Sequence, residues 1–302
     1  MFPSVDFVGK WRRWFAISGV LLALGLLAIA IGRLDLGIDF QGGAQFTATG
    51  ADRQLGENEV TDVLPPGIAE KSVVTTLGNN GYEVRTPVLS GAESQEVEDA
   101  LSEALGAEVS ATTVSPAFGE QIRNQALQAV IAALLIIVAF ISIRFEFSFA
   151  IASMAALVHD ILLTVGFYAI FGREVSLVTV VAVLTVLGYS LYDTIIIFDR
   201  IRENAPTVGY NRRRFDEMVN ASIRQVVRRS IYTSIFTLIP VTALLIFGES
   251  TLSDFAFALL VGIGAGTYSS IFIAAPVLCL YKAWRAGRVG SGKGRAAQSA
   301  SS

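Results

Sequence analysis

Six long apolar blocks decide what this chain can become. A helix that crosses a hydrocarbon core needs about 17–25 largely apolar residues. The segments Trp14–Gly32, Ala126–Ile143, Phe149–Phe171, Val175–Phe198, Ile231–Phe247 and Phe255–Tyr281 each have that length and carry few charges. Only 16% of the 302 residues are charged and 53% are hydrophobic, against about a quarter charged in a soluble domain. The expected fold class is a polytopic α-helical membrane protein with six transmembrane helices, and an even count places both ends of the chain on one side. The first block follows Lys10, Arg12 and Arg13 and holds the small-residue sequence Ala28-Ile29-Ala30, as a cleaved signal would. Its apolar run exceeds the roughly 7–15 residues of a signal peptide, so it reads as a permanent anchor. Cys279 is the single cysteine and lies in an apolar block; no internal disulfide can form, and it reads as a small buried hydrophobe.

Orientation follows from where Lys and Arg sit. Residues 1–13 carry Lys10, Arg12 and Arg13, and Arg144 lies in the short second loop. The loop 199–230 holds Arg200, Arg202, Arg212, Arg213, Arg214, Arg224, Arg228 and Arg229, and the tail 282–302 holds Lys282, Arg285, Arg288, Lys293 and Arg295. Six spans put all four segments on one face, the cytoplasmic one. The tail is rich in Gly and Ser and is expected to be disordered. On the opposite face the loops Gly172–Glu174 and Gly248–Asp254 are short and nearly neutral or acidic. Within the basic loop, Phe215–Val227 is amphipathic and is expected to lie along the membrane interface.

Residues 33–125 form the one large segment outside the cytoplasm, with acidic residues exceeding basic ones roughly three to one. An extended stretch near Gln45–Thr49 precedes a helix near Glu57–Leu64, stopped by Pro65-Pro66-Gly67. Two strands, Lys71–Leu77 and Tyr82–Pro87, flank Gly78-Asn79-Asn80-Gly81, a hairpin signal. A helix over Ala92–Leu105 presents Val97, Leu101, Ala104 and Leu105 on one face, and Glu108–Val114 is a last strand. The order β-α-β-β-α-β is that of an α+β ferredoxin-like domain. The acidic residues Glu93, Glu96, Glu98, Asp99 and Glu103 read as a solvated helix face, without the oxygen-ligand spacing of a calcium loop.

Charged residues at mid-bilayer cost at least about 2.5–3.5 kcal/mol, so they tend to face protein or water and to do work. Asp193 lies in the fourth span on a polar and small stripe with Thr185, Gly188, Tyr189 and Tyr192. His159 and Asp160 are adjacent in the third span, their side chains leaving the helix about 100° apart. Either a proton path or ordinary helix packing accounts for them. Arg228 and Arg229 open the fifth span from the end nearest Asp193, so Asp193 and Arg229 are expected to meet across an antiparallel pair. Gly262, Gly266 and Ser270 recur every four residues in the sixth span, the pattern of close helix contact.

Five blocks carry a resemblance to a known family. They are Gly37-Ile38-Asp39-Phe40-Gln41-Gly42-Gly43, Val114-Ser115-Pro116-Ala117-Phe118-Gly119, His159-Asp160 and Gly188-Tyr189-Ser190-Leu191-Tyr192-Asp193-Thr194 with Phe198-Asp199-Arg200-Ile201-Arg202-Glu203-Asn204. The last is Asn220-Ala221-Ser222-Ile223 with Arg229-Ser230 and Thr233-Ser234. Over about Asp6–Trp284 the chain resembles the SecF subunits of bacterial SecDF protein-export complexes, a branch of the resistance-nodulation-division transporters. The resemblance implies an accessory subunit of the Sec translocase in the bacterial cytoplasmic membrane. It would use the proton-motive force, with a SecD-like partner, to help an unfolded preprotein leave the SecYEG channel. It assigns ion passage to Asp193 and Arg229, and the outside motif to Asp39, Phe40, Gly42 and Gly43. Many members have Asn where this chain has Tyr192. Six spans and one outside domain make half of such a transporter.

No cofactor or metal is implied beyond the coupling ion, a proton or Na⁺, since a lone carboxylate serves either. No P-loop, nucleophile elbow or zinc-ligand spacing suggests an enzyme, and the basic loop suits lipid head groups rather than nucleic acid. Two alternatives stay open at this level: an ion-driven exporter half for a small molecule or lipid, and a scaffold whose intramembrane charges only lock helices together.

Overall fold

The computed structural model describes residues 5–77, 80–207, 211–248 and 250–286. The Gly78-Asn79 half of the hairpin turn and the tail from residue 287 onward, with Arg288, Lys293 and Arg295, lie outside the described residues. In chain order the elements are α1 (Trp11–Ala30), β1 (Asp35–Leu36), α2 (Ile38–Gln41), β2 (Gly43–Thr49), α3 (Glu57–Val63), β3 (Val73–Leu77), β4 (Gly81–Thr86), α4 (Gly91–Leu105), β5 (Glu108–Val114), α5 (Pro116–Arg144), α6 (Phe147–Phe171), β6 (Glu174–Val175), α7 (Leu177–Asn204) and α8 (Arg212–Phe247). The final span, α9, runs Thr251–Ala286 and contains a π-helical turn at Ser270–Ala274. Among the described residues six helices are long and apolar enough to cross a membrane: α1 and α5 to α9.

The segment between α1 and α5 folds as a four-stranded antiparallel sheet in the order β3-β4-β2-β5. Alternation along β2 sends Ala44, Phe46 and Ala48 to one face, where they bury against Val60, Val97, Leu101 and Leu105 of α3 and α4. The opposite face carries Gln45, Thr47, Thr75, Glu83 and Arg85 and looks toward the α6–α7 and α8–α9 turns. Helix α4 begins with a Ser90–Glu93 capping box, which holds the Glu93 carboxyl below its ordinary range through the backbone and side chain of Ser90. It ends at Gly106 in the left-handed region.

Glycine sets how closely the long helices approach. A Cβ on Gly25 would lie 2.7 Å from Gly166 Cα, so α1 and α6 touch backbone to backbone. A Cβ on Gly262 would meet Val186 at 2.4 Å, and one on Gly266 would meet Ser190 at 2.8 Å, pressing α9 onto α7. This is the small-residue seam that the fourfold spacing in the last span suggested.

Two features depart from the sequence reading. Phe215–Val227 is no separate interfacial helix: it is the first part of α8, continuous to Phe247 and passing through Pro240. Phe215, Met218, Val219 and Ile223 bury among Phe7, Phe145, Phe149, Phe198 and Leu278, so the apolar side of this amphipathic stretch is satisfied by protein. The second is a parallel two-residue ladder, in which Asp35 pairs with Glu174 and Leu36 with Val175. It ties the chain after α1 to the turn between α6 and α7.

The remaining motifs are structural joints. Asn220 Oδ1 accepts from the backbone N–H of Phe7 at 2.8 Å and of Val8 at 3.1 Å, while its Nδ2 donates to Asp6 at 2.8 Å. One amide thus clamps the N-terminal turn to α8. At the end of α7, Arg202 donates to the Arg144 carbonyl at 3.1 Å and Asn204 to Ser222 Oγ at 2.9 Å, and Arg200 reaches Gln225. The Asp-Arg-Ile-Arg-Glu-Asn run therefore staples α7 to the end of α5 and to the Ser222–Gln225 stretch of α8.

Candidate ion-relay site

Helix α7 carries the central acid. Asp193 is 1% exposed, and neither carboxylate oxygen has a hydrogen-bond partner among the described residues. The polar groups that act on it are Ser230 and Arg229 of α8. Leaving an ionised carboxylate in such a place costs several kcal/mol.

The ion pair expected between Asp193 and Arg229 is not closed. Arg229 Nη2 donates instead to the Tyr192 hydroxyl at 3.0 Å, one residue along α7, and both side chains are exposed. The reason is helical phase. Tyr192 points outward from the bundle while Asp193 turns inward about 100° away, and the phenol projects far enough to take the guanidinium at the rim.

Asp160 of α6 is the contrasting acid, fully buried and satisfied. Its Oδ2 accepts from Ser190 Oγ of α7 at 2.6 Å and from Ser269 Oγ of α9 at 2.8 Å. His159 Nδ1 lies 3.0 Å from Oδ1, so the imidazole bends back across the angle that separates the two Cα–Cβ bonds. The His159 ring stacks on Tyr268 at a centroid distance of 6.1 Å, and its Nε2 has no partner among the described residues. Beside them, Thr194 Oγ1 and Ser270 Oγ lie 2.8 Å apart. Ser190 and Thr194 flank Asp193 on α7, and Ser270 opens the π-helical turn. A π turn inserts a residue into the helical register and marks functional sites more often than chance; here it brings two consecutive serines onto Asp160 and Thr194.

At the sheet-domain end of α7, Asp39 Oδ2 accepts from the Leu177 backbone N–H at 2.9 Å. Phe40 is buried. Gly42, at φ +77°, is backed by the Pro116 backbone at 2.8 Å from where a Cβ would be, and Gly43, at φ +142°, by the Thr86 carbonyl at 2.6 Å. A Cβ on Gly119 would lie 3.0 Å from Gly42 N. The Gly37–Gly43 and Val114–Gly119 blocks therefore form one tightly packed joint between sheet, α5 and α7. Glu174 escaped the sequence reading. Its signal was slight, a single acid in a three-residue turn, and its ion-pair partner Arg85 lies on a distant strand at 2.6 Å.

A family model for the protein export membrane protein SecD/SecF, C-terminal region, matches residues 96–284. The chain belongs to the SecD/SecF family. Protein translocase subunit SecF of Rhodothermus marinus is 37% identical to it, the alignment covering 94% of this chain and 96% of that one. SecF of Streptomyces coelicolor is 35% identical over 90% of this chain and 75% of the relative. Protein translocase subunit SecDF of Thermus thermophilus is 36% identical over 94% of this chain, which spans 39% of that longer one. The crystal structure of the Thermus SecDF superposes with a TM-score of 0.85 at 35% identity, covering 93% of this chain and 39% of that chain. A SecDF in a super-membrane-facing form superposes with a TM-score of 0.71 at 34% identity over 96% of this chain and 40% of the other. This member of the SecD/SecF family is thus a multi-pass membrane protein that corresponds to one part of the fused SecDF.

Proposed function

We propose that this chain is the SecF half of an ion-driven protein-export complex, and that Asp193 is the group that takes up and releases the coupling ion. The observation that carries this reading is a carboxylate with no closed hydrogen bond, buried in a membrane helix beside the Ser230 hydroxyl and an arginine engaged one residue away. A structural acid would be satisfied as Asp160 is. Asp193 can hold a proton, or lose it and draw Arg229 inward from Tyr192. The two states differ in the packing of α7 against α8, and a proton gradient moves the protein by favouring one over the other.

The partner is a SecD-like subunit, by analogy with the fused Thermus protein, and the stripe Val181, Thr185, Gly188 and Tyr192 on α7 supports this. These residues are exposed at helical spacing on this chain, and a stripe that mixes small and polar side chains is the kind of helix face that packs on another helix. The excess of Lys and Arg on the side opposite the sheet domain supports cytoplasmic termini in a bacterial cytoplasmic membrane and a ferredoxin-like domain outside. The domain there would act on an unfolded preprotein emerging from SecYEG, with H⁺ as coupling ion and Na⁺ the alternative. Arg212–Arg214 then face cytoplasm and lipid head groups. His159 and Asp160 serve as the interhelical lock that holds α6, α7 and α9 around the moving pair.

The test is export by vesicles containing the channel, the SecD-like partner and this chain, with and without an imposed proton gradient. The gradient accelerates release of the preprotein with the native chain and fails to do so with Asp193→Asn. Full gradient-dependent stimulation in that variant refutes the assignment.

A further inference from the structure

The polar face of the sheet closes over the turn between α6 and α7, leaving a cleft of about 840 Å³. Glu174 sits in it. Arg85 Nη1 of β4 lies 2.6 Å from Glu174 Oε2, and the Glu174 side chain is 15% exposed. A Cβ on Gly37 would fall 2.1 Å from Glu174 Oε1, so the first glycine of the outside motif leaves the space this carboxyl fills. Strand β1 pairs with β6 at the same point. Arg85 on the sheet domain and Glu174 on the membrane bundle therefore form a contact that must part whenever the two move apart.

We propose that docking of the sheet domain onto the membrane bundle takes up a proton at Glu174, and that lifting the domain returns this carboxyl to water and releases it. Burial sets the sign, and the charged groups around it modify it. Arg85 faces Glu174 from β4, but so does Glu83; Asp39 approaches from α2 and Asp254 from the head of α9. Asp35 is its ladder partner in β1, with an exposed side chain. Arg173, in the same turn, is engaged with Asp254 at 2.7 Å. Burial pushes the Glu174 carboxyl up to about 7, with Glu83, Asp254 and Asp39 adding to it against Arg85. Lifted into water it returns toward 4.5. A group whose pKa is higher in the docked state favours docking when protonated, and that advantage is lost as pH rises through about 7. The protonated carboxyl still accepts from Arg85, so the contact survives uptake. The sidedness rests on the proposed orientation, which exposes Glu174 to the proton-rich face; the linkage itself does not.

Spin labels at Glu96→Cys and Thr251→Cys, with the buried Cys279 left in place, report the domain-to-membrane distance in the complex with its partner half in lipid nanodiscs. Between pH 7 and 5 the docked-to-lifted ratio is expected to rise by up to about tenfold per pH unit. Glu174→Gln is expected to hold the docked distance with no pH response, and Gly37→Ala to shift the population toward the lifted one. A pH response unchanged in Glu174→Gln, or a native complex with no response from pH 5 to 9, overturns the proposal. Asp193→Asn keeps this titration while losing gradient-driven export. Failure of the first sinks the latch alone, and failure of the second sinks the Asp193 assignment alone.

Discussion

Asp39 caps Leu177: the carboxylate of the outside motif accepts the first free backbone N–H of α7 at 2.9 Å. That helix also carries Asp193. A carboxylate at a helix N-terminus is favoured by both the unsatisfied N–H groups and the helix dipole. The outside motif thus touches the N-terminal end of the helix that carries the buried acid. A shift of α7 would pull first on this contact at the Gly37–Gly43 joint.

Removing the cap isolates this link. Asp39→Ala is expected to lower stability by about 0.5–2 kcal/mol, while Asp39→Asn, which keeps an acceptor oxygen, stays closer to the native protein. Thermal unfolding of the purified chain in mild detergent reads the difference. Equal Tm values for Asp39→Ala and the native protein would contradict the cap.

The two buried acids should separate by stability. Asp160 holds Ser190 and Ser269, so Asp160→Ala strands the buried Ser190 hydroxyl, leaves Ser269 only the Gly266 carbonyl of its own helix, and is expected to cost roughly 1–3 kcal/mol. Asp193 holds none, so Asp193→Asn is expected to leave Tm and partner assembly unchanged. If Asp193→Asn unfolds the protein as readily as Asp160→Ala, Asp193 is a structural acid.

Helix spacing between α7 and α9 predicts a graded series. Gly266→Ala places a methyl 2.8 Å from Ser190 Cβ, and Gly262→Ala places one 2.4 Å from Val186, whereas Gly264→Ala meets nothing within 4 Å. The first two are expected to cost about 1–3 kcal/mol by overpacking. Gly264→Ala, at a helical position, is expected to be neutral or slightly stabilising. A Gly264→Ala variant as damaged as Gly266→Ala would argue against this contact.

Arg229 is predicted to work through its charge and reach. Tyr192→Phe removes its resting partner but leaves Asp193 and Arg229 in place, so gradient-driven export continues. Arg229→Ala removes the guanidinium and abolishes it. Export by Arg229→Ala at the native rate would exclude the arginine from the relay.

Much of this was readable from sequence because the signals are local. Six spans follow from apolar runs and sparse charge, and the β-α-β-β-α-β order from strand alternation and helix periodicity. Asp193 and Asp160 stood out because charge is rare at their depth. What escaped depended on partners distant in the chain. The basic residues Arg224, Arg228 and Arg229 break a hydropathy window without breaking a helix, so the continuity of α8 was hidden. The rotation between Tyr192 and Asp193 moved Arg229 to the phenol. The π turn at Ser270–Ala274, which aligns Ser269 and Ser270, has no residue signature. Glu174 meets Arg85 only because β1 and β6 pair across the foot of the sheet.

The most direct measurement is infrared difference spectroscopy of the reconstituted complex, following carboxyl groups as the outside pH is stepped. A carboxylic-acid C=O band that rises on acidification, falls on return, persists in Glu174→Gln and vanishes in Asp193→Asn is the predicted result. A pH-responsive spectrum identical in Asp193→Asn and the native protein would contradict the account.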